Sequence, residues 1–224
     1  MQTIFRGPLM KDAVDRLTPL GVMVLALLRE ADMHPYEMLR LMRQRHHERL
    51  VTITNGTMYH TVGRLEKAGL LGEVGVDRDG NRPERTTYTL TDAGRAIVSE
   101  WVRRELVRID RPTEFRVALA EAHNLDRLEV ASLLDQRREA LSNTHRLYHD
   151  GRRKAQTRGT PEQFLIQVER EELLLEAELH WLDSFIDRLE RHALPWGIAE
   201  IPESHRLQAQ RGAAQPRTPE RLRA

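Results

Sequence analysis

The chain has 224 residues, 31% of them charged, a formal net charge of +1 and no cysteine. That length allows one medium domain or two small ones. The missing cysteine excludes disulfides and thiolate metal sites, and the near-zero charge means that any surface for a polyanion must be local. No run approaches the roughly 18 uncharged apolar residues of a membrane span, so no membrane partner is expected. The opening MQTIFRGPLMKDAVDR lacks the continuous apolar region of a secretory signal, so the expected compartment is the cytoplasm.

Residues 1–16 are mixed in character and are expected to form a flexible arm. Thr18-Pro19 reads as an N-cap followed by proline at the first helical position, and LGVMVLALLRE behind it is apolar nearly all round, which predicts a buried helix. His34-Pro35 opens a second helix, with Tyr36, Met38, Leu39 and Met42 as its expected inner residues. It runs into a basic cluster, Arg43, Arg45, His46, His47 and Arg49, placed where a flanking phosphate backbone would pass. A third helix starts behind Thr54 as N-cap and stops at Gly69. Val74 and Val76 suggest a strand, DRDGNRPE a turn, and TTYTL a returning strand. Thr91 caps a fourth helix whose apolar side includes Ala93, Ile97, Trp101 and Leu106. The order helix, helix, helix, strand, turn, strand is that of a winged helix-turn-helix.

On a helical wheel the third helix puts Met58, Val62 and Leu65 on one face. The opposite face carries Gly56, His60, Gly63, Arg64 and Lys67, with Thr57 and Tyr59 beside it. Two interior glycines cost about 1 kcal/mol each relative to alanine, so local helix stability does not explain them. They lower the outer face and let another surface come close. The DNA major groove admits one helix, read by the residues of its N-terminal turns, and this face suits that use.

After Pro112 the character changes. Thr113–His123 reads as a short helix and Asp126 to about Asp150 as a long one, with Leu128, Ala131, Leu134 and Leu141 on one side. GRRKAQTRGTP is expected to be a polar turn, followed by a second long helix from Pro161 to about Ala193. Leu165, Val168, Leu175, Leu179, Leu182, Ile186 and Leu189 fall at alternating steps of three and four, interrupted only by Glu172, and predict a dimerisation seam. Phe164, Leu174, Trp181 and Phe185 form a second line, so the face suits both its own neighbouring helix and a second subunit. The Arg-, Gln- and Pro-rich tail is expected to be disordered.

The segments LTPLGVMVLALLRE, HPYEMLRLM, TNGTMYHTVGRLEKAGLL and NRPERTTYTLTDAGR resemble the PadR family of bacterial transcriptional regulators, strongly over residues 17–105. EFRVALAEAHNLDRLEVASLLDQRREAL is similar, less specifically, to the extended C-terminal region of its large subfamily. The resemblance implies a mainly α protein with a small β-wing: a winged helix-turn-helix at 17–107, a helical dimerisation and effector domain at 108–196, and a tail at 197–224. It implies a homodimeric repressor on a pseudo-palindromic double-stranded operator, released by an unidentified small-molecule effector. Carried over by position, Tyr36 and Tyr59 contact phosphates, Asn55, Thr57 and His60 meet bases or backbone, and Arg82 and Arg85 lie on the wing. Thr54 and Arg64 complete the expected DNA-facing set. The chain departs from many relatives in having Thr-Asn-Gly where they have Ser-Pro-Gly, and in His60 and Gly63, where longer residues are common.

His145 and His149 have the i, i+4 spacing of two metal ligands, but no third ligand is evident beside them, and the expectation is surface histidines and no metal or other cofactor. Trp101, Trp181, Trp196 and Phe185 could line an effector pocket, although core and interface anchors fit them better. Glu172 is expected as a cross-dimer ion pair or a register device. No phosphate loop, nucleophile elbow or paired acid is present to support an enzyme. Two other readings stay open, a winged-helix protein–protein adaptor and a metal-responsive regulator.

Overall fold

Side-chain N-caps set several of the helix starts, two of them led by proline, Pro19 and Pro35. In the computed structural model, which describes residues 8–77, 85–197 and 200 (the backbone alone at 8–11, 76–77 and 85), the elements are α1 (Pro8–Asp15), α2 (Pro19–Glu30), α3 (Pro35–Gln44), α4 (Asn55–Lys67), β1 (Leu71–Asp77), β2 (Arg85–Leu90), α5 (Asp92–Val107), α6 (Pro112–Ala120), α7 (Arg127–Thr157) and α8 (Ile166–Glu190). Thr18 Oγ1 accepts from Gly21 N at 3.2 Å ahead of Pro19. His34 Nδ1 accepts from Tyr36 N and the Glu37 carboxylate accepts from His34 N, both at 3.0 Å. Thr91 Oγ1 accepts from Gly94 N at 3.1 Å. Each such cap is worth about 1 kcal/mol.

The expected buried helix is α2, in which every residue from Leu20 to Leu28 is buried. It packs against α4, α5, α6 and β2. β1 and β2 form an antiparallel ribbon in the register Leu71↔Leu90, Gly72↔Thr89, Glu73↔Tyr88, Gly75↔Thr87. Val74 is the extra residue of the irregularity between Glu73 and Gly75 and stands 55% exposed. Met33 adds a short antiparallel bridge to Tyr88. The ribbon meets α5 closely: a Cβ on Gly94 would lie 2.1 Å from the Leu70 carbonyl oxygen, so only glycine fits. α5 packs against α1 and α2 as well as α6 and α7, and so belongs to both halves of the molecule.

Several expectations are corrected here. The N-terminal arm contains a helix, α1, because Val14 is buried and Asp15 pairs with Arg104 of α5 at 2.5 Å; residues 1–7 lie outside the described residues. Tyr36 and Ala93 face outward, and Gly94 takes the inward place expected of Ala93. Leu128 is exposed, and α7 turns Val130, Ala131, Leu134 and Leu141 inward. α7 runs on to Thr157, through the stretch expected to turn, since Arg152 is anchored on α8 and Gly151 is its only helix-weakening residue there. α8 starts at Ile166, after a single 3-10 turn at Glu162–Phe164. The tail beyond residue 197 lies outside the described residues except Glu200, which pairs with the buried Arg127 at 2.5 Å.

α7 and α8 form an antiparallel hairpin tied by Arg137–Glu178 (2.8 Å), Arg138–Asp183 (3.0 Å), His145–Glu176 (3.2 Å) and His149–Glu172 (2.7 Å). Arg137 also caps the carbonyl of Arg108 and lies 3.6 Å over the Phe115 ring, tying the hairpin to α6.

Candidate nucleic-acid interface

α4 is fixed from both sides. Met58, Thr61, Val62 and Leu65 are buried, and at its start Thr54 Oγ1 accepts from Thr57 N (3.1 Å) while Thr57 Oγ1 accepts from Thr54 N (2.9 Å). That reciprocal box commits both hydroxyls to holding the helix end. At the far end Gly69 adopts φ +68 and its N–H reaches the Glu66 carbonyl at 2.8 Å, closing the helix as a left-handed cap.

The outer face presents Asn55, Thr57, Tyr59 and His60 to solvent, Tyr59 being 51% exposed. Among the described residues nothing lies within 4 Å of a Cβ placed on Gly63, and on Gly56 only Thr54 Oγ1 comes that close, so the face is open there. Tyr59 stands edge-on to His34 with ring centroids 6.3 Å apart, which orients it beside the start of α3. Tyr36, 59% exposed, projects from that same start. Tyr36, Tyr59, Asn55 and His60 thus belong to the two adjoining helix N-termini of the helix-turn-helix, where backbone N–H groups and helix dipoles favour anions.

Other expected members are placed differently. Arg64 turns back and donates to Thr18 Oγ1 at 2.9 Å, bracing the α2 cap. Arg45 is chelated by Glu30 at 2.5 and 2.7 Å, which commits it to an ion pair and holds its pKa above the ordinary arginine value. Burial, together with the neighbouring Arg45 charge, lowers the His47 pKa. His46 sits in the left-handed region (φ 56) and faces Glu48 at 3.2 Å. The basic cluster therefore contributes mainly Arg43 and Arg49, both exposed. Arg43 reaches to 3.5 Å from Asn55 Oδ1, an approach that no local sequence pattern indicates. On the wing, Arg82 lies outside the described residues, and Arg85 is placed by its backbone pairing with Asp77.

The aromatic set divides. Trp101 is fully buried in the core, whereas Trp181 stacks on Phe185 (5.2 Å) and Phe185 meets Trp196 (6.5 Å) at the base of the hairpin. Of the expected seam, Leu165, Leu182, Ile186 and Leu189 are buried within the single chain, and Leu175 and Leu179 pack on the core. Val168 lines a shallow groove of about 350 Å³ with Leu147, Tyr148, Ala155 and Leu165. Leu182 and Leu189 have no exposed surface to offer a second subunit, a correction to the expected seam, because the α7 side of α8 needs those side chains.

Helices α2 to α4 followed by the β1–β2 ribbon define a winged helix-turn-helix protein. Residues 24–100, which span α3, α4 and the β1–β2 ribbon, match the family described as Transcriptional regulator PadR-like family. Similar solved structures are Bacillus subtilis PadR in complex with operator DNA (17% identity, covering 76% of this chain and 98% of that one, TM-score 0.35), smu.1604c from Streptococcus mutans UA159 (17%, 73% and 96%, 0.33) and the PadR-like transcriptional regulator BC1756 from Bacillus cereus (16%, 84% and 99%, 0.31). No curated protein matches the chain.

Proposed function

We propose that this PadR-like regulator is a repressor that binds a pseudo-palindromic operator as a homodimer and leaves it when a small-molecule effector binds. The observation that carries the reading is the open outer face of α4, where Asn55, Thr57, Tyr59 and His60 surround two glycines that no other element covers among the described residues. Tyr36, Tyr59, Arg43 and Arg49 supply phosphate contacts, and Asn55 and His60 meet base edges. Thr54 and Thr57 act by holding the helix end, and Arg64 by bracing it. Arg82 and Arg85 serve the wing.

The second subunit packs on the outward side of α8, where Ile166, Leu173, Leu174 and Trp181 are 60, 57, 49 and 37% exposed. A patch of this kind on a helix that already has an intramolecular partner marks a protein contact. The dimer sets two α4 helices about 34 Å apart, and effector binding changes that spacing.

Footprinting on DNA upstream of the protein's own gene tests this. Two protected half-sites one helical turn apart, with affinity falling steeply between low and moderate salt, are expected. No protection at low salt refutes the reading and favours the protein–protein adaptor.

A further inference from the structure

The hairpin brings together two pairs of residues that the sequence leaves 23 or more positions apart: His145 and His149 on α7, Glu172 and Glu176 on α8. Each pair has i, i+4 spacing, and the helices run antiparallel, so the two pairs face one another. The coordinating atoms of His145, Glu172 and Glu176 all lie within 4.8 Å of one another. Donors around a divalent ion bound at about 2.1 Å stand roughly 3.4 Å apart, so small side-chain rotations close the set.

Glu172 is the informative member. It is 3% exposed in an otherwise apolar row, and a buried carboxylate is costly unless it is held. Arg152 Nε donates to its Oε2 at 2.6 Å, and His149 Nδ1 lies 2.7 Å from its Oε1. These contacts fix the carboxylate, and one of its oxygens lies within 4.8 Å of the ligand atoms of His145 and Glu176. His145 and Glu176, with side chains 22 and 53% exposed, keep the site open to solvent.

We infer that His145, Glu172 and Glu176 form a binding site for a divalent ion of the zinc class, with His149 and Arg152 orienting Glu172. One imidazole and two carboxylates suit Zn²⁺, Co²⁺ or Ni²⁺ better than Mg²⁺ or Ca²⁺, and solvent completes the coordination. The ion bridges α7 to α8 near the middle of the hairpin and replaces the His145–Glu176 hydrogen bond. Binding requires the His145 Nε2 lone pair, so it weakens in acid. The site is independent of the DNA-binding reading.

Titration of the full chain with Co²⁺, followed by visible absorption and calorimetry without DNA, tests the proposal. One equivalent binds, Zn²⁺ displaces it and Mg²⁺ does not. His145→Gln and Glu176→Gln each weaken binding at least tenfold with the circular dichroism of the parent, while His180→Gln, elsewhere on α8, leaves it unchanged. Zn²⁺ raises the melting temperature of the parent but of neither ligand variant. Absence of Co²⁺ binding by the parent, or equal binding by the parent and both ligand variants, overturns it.

Discussion

In the winged-helix half, α4 turns Met58, Val62 and Leu65 inward and leaves an outer face of Asn55, Thr57, Tyr59 and His60. In the hairpin, α8 turns Leu182 and Leu189 inward, yet its outer face still carries Ile166, Leu173, Leu174 and Trp181, while charged Arg137 and Glu172 sit inside. An outer face made of amide, hydroxyl and ring donors beside helix N-termini suits a polyanion. An outer face of leucines suits another protein surface, where apolar area counts for most. The two halves thus advertise different partners through the same device, a helix buried on one side only.

The largest expected effect tests the inner side of the hairpin. Leu182→Asp places a charge where no solvent reaches and should lower stability by about 4 kcal/mol or more, seen as loss of the cooperative thermal transition. An unchanged melting temperature refutes the assignment of that row to the single-chain core. Leu173→Asp with Leu174→Asp attacks the outer side instead. On the proposed dimer, sedimentation should then report monomers, with dimer affinity down at least a hundredfold, about 3 kcal/mol, and helical content retained. A surviving dimer moves the contact elsewhere.

The join between the halves titrates. Burial, with the Glu30 charge beside it, pushes the Glu121 carboxyl up from 4.5 to about 7, against the opposing pull of Arg45, Asn124 and Arg29. Because the folded chain favours the protonated acid, that contribution is complete below about pH 4.5 and is lost as pH rises through about 7. Stability should fall between pH 5 and pH 8 by on the order of 2 kcal/mol, and Glu121→Gln should flatten that slope in pH-dependent denaturation. On the proposed binding mode, Asn55→Ala and His60→Ala have the smallest effects, about 1 kcal/mol each in operator affinity by fluorescence anisotropy, with unchanged melting. Full affinity in both displaces the DNA face from α4.

What sequence makes legible here is local. Thr18-Pro19, His34-Pro35, Thr54 and Thr91 are caps that act within four residues, and all four helix starts follow from them. The wheel of α4 likewise separates its buried and open faces. The misses are long-range. α1 depends on Asp15 finding Arg104, α7 continues past Gly151 with Arg152 reaching Glu172, and Arg45 leaves the basic cluster because Glu30 lies across from it. The heptad row of α8 is a true apolar stripe, but periodicity does not say whether the helix it meets belongs to the same chain. Of the three ligands of the proposed ion site the α7 sequence shows His145 alone; Glu172 and Glu176 come beside it only when α8 folds back.

α5 gives the molecule a mechanical character that no sequence pattern announces. Its 16 residues form one rod of about 24 Å, clamped to α2 on the winged-helix side and to α7 through Arg103–Glu129 at 2.5 Å on the other. The two halves therefore share an axle and are not strung on a tether. A tilt of about 5° at the hairpin end moves the opposite end by about 2 Å, the scale on which a helix loses its hold on base edges. Gly94, pressed against the Leu70 carbonyl just ahead of β1, seats that end of α5 against the wing.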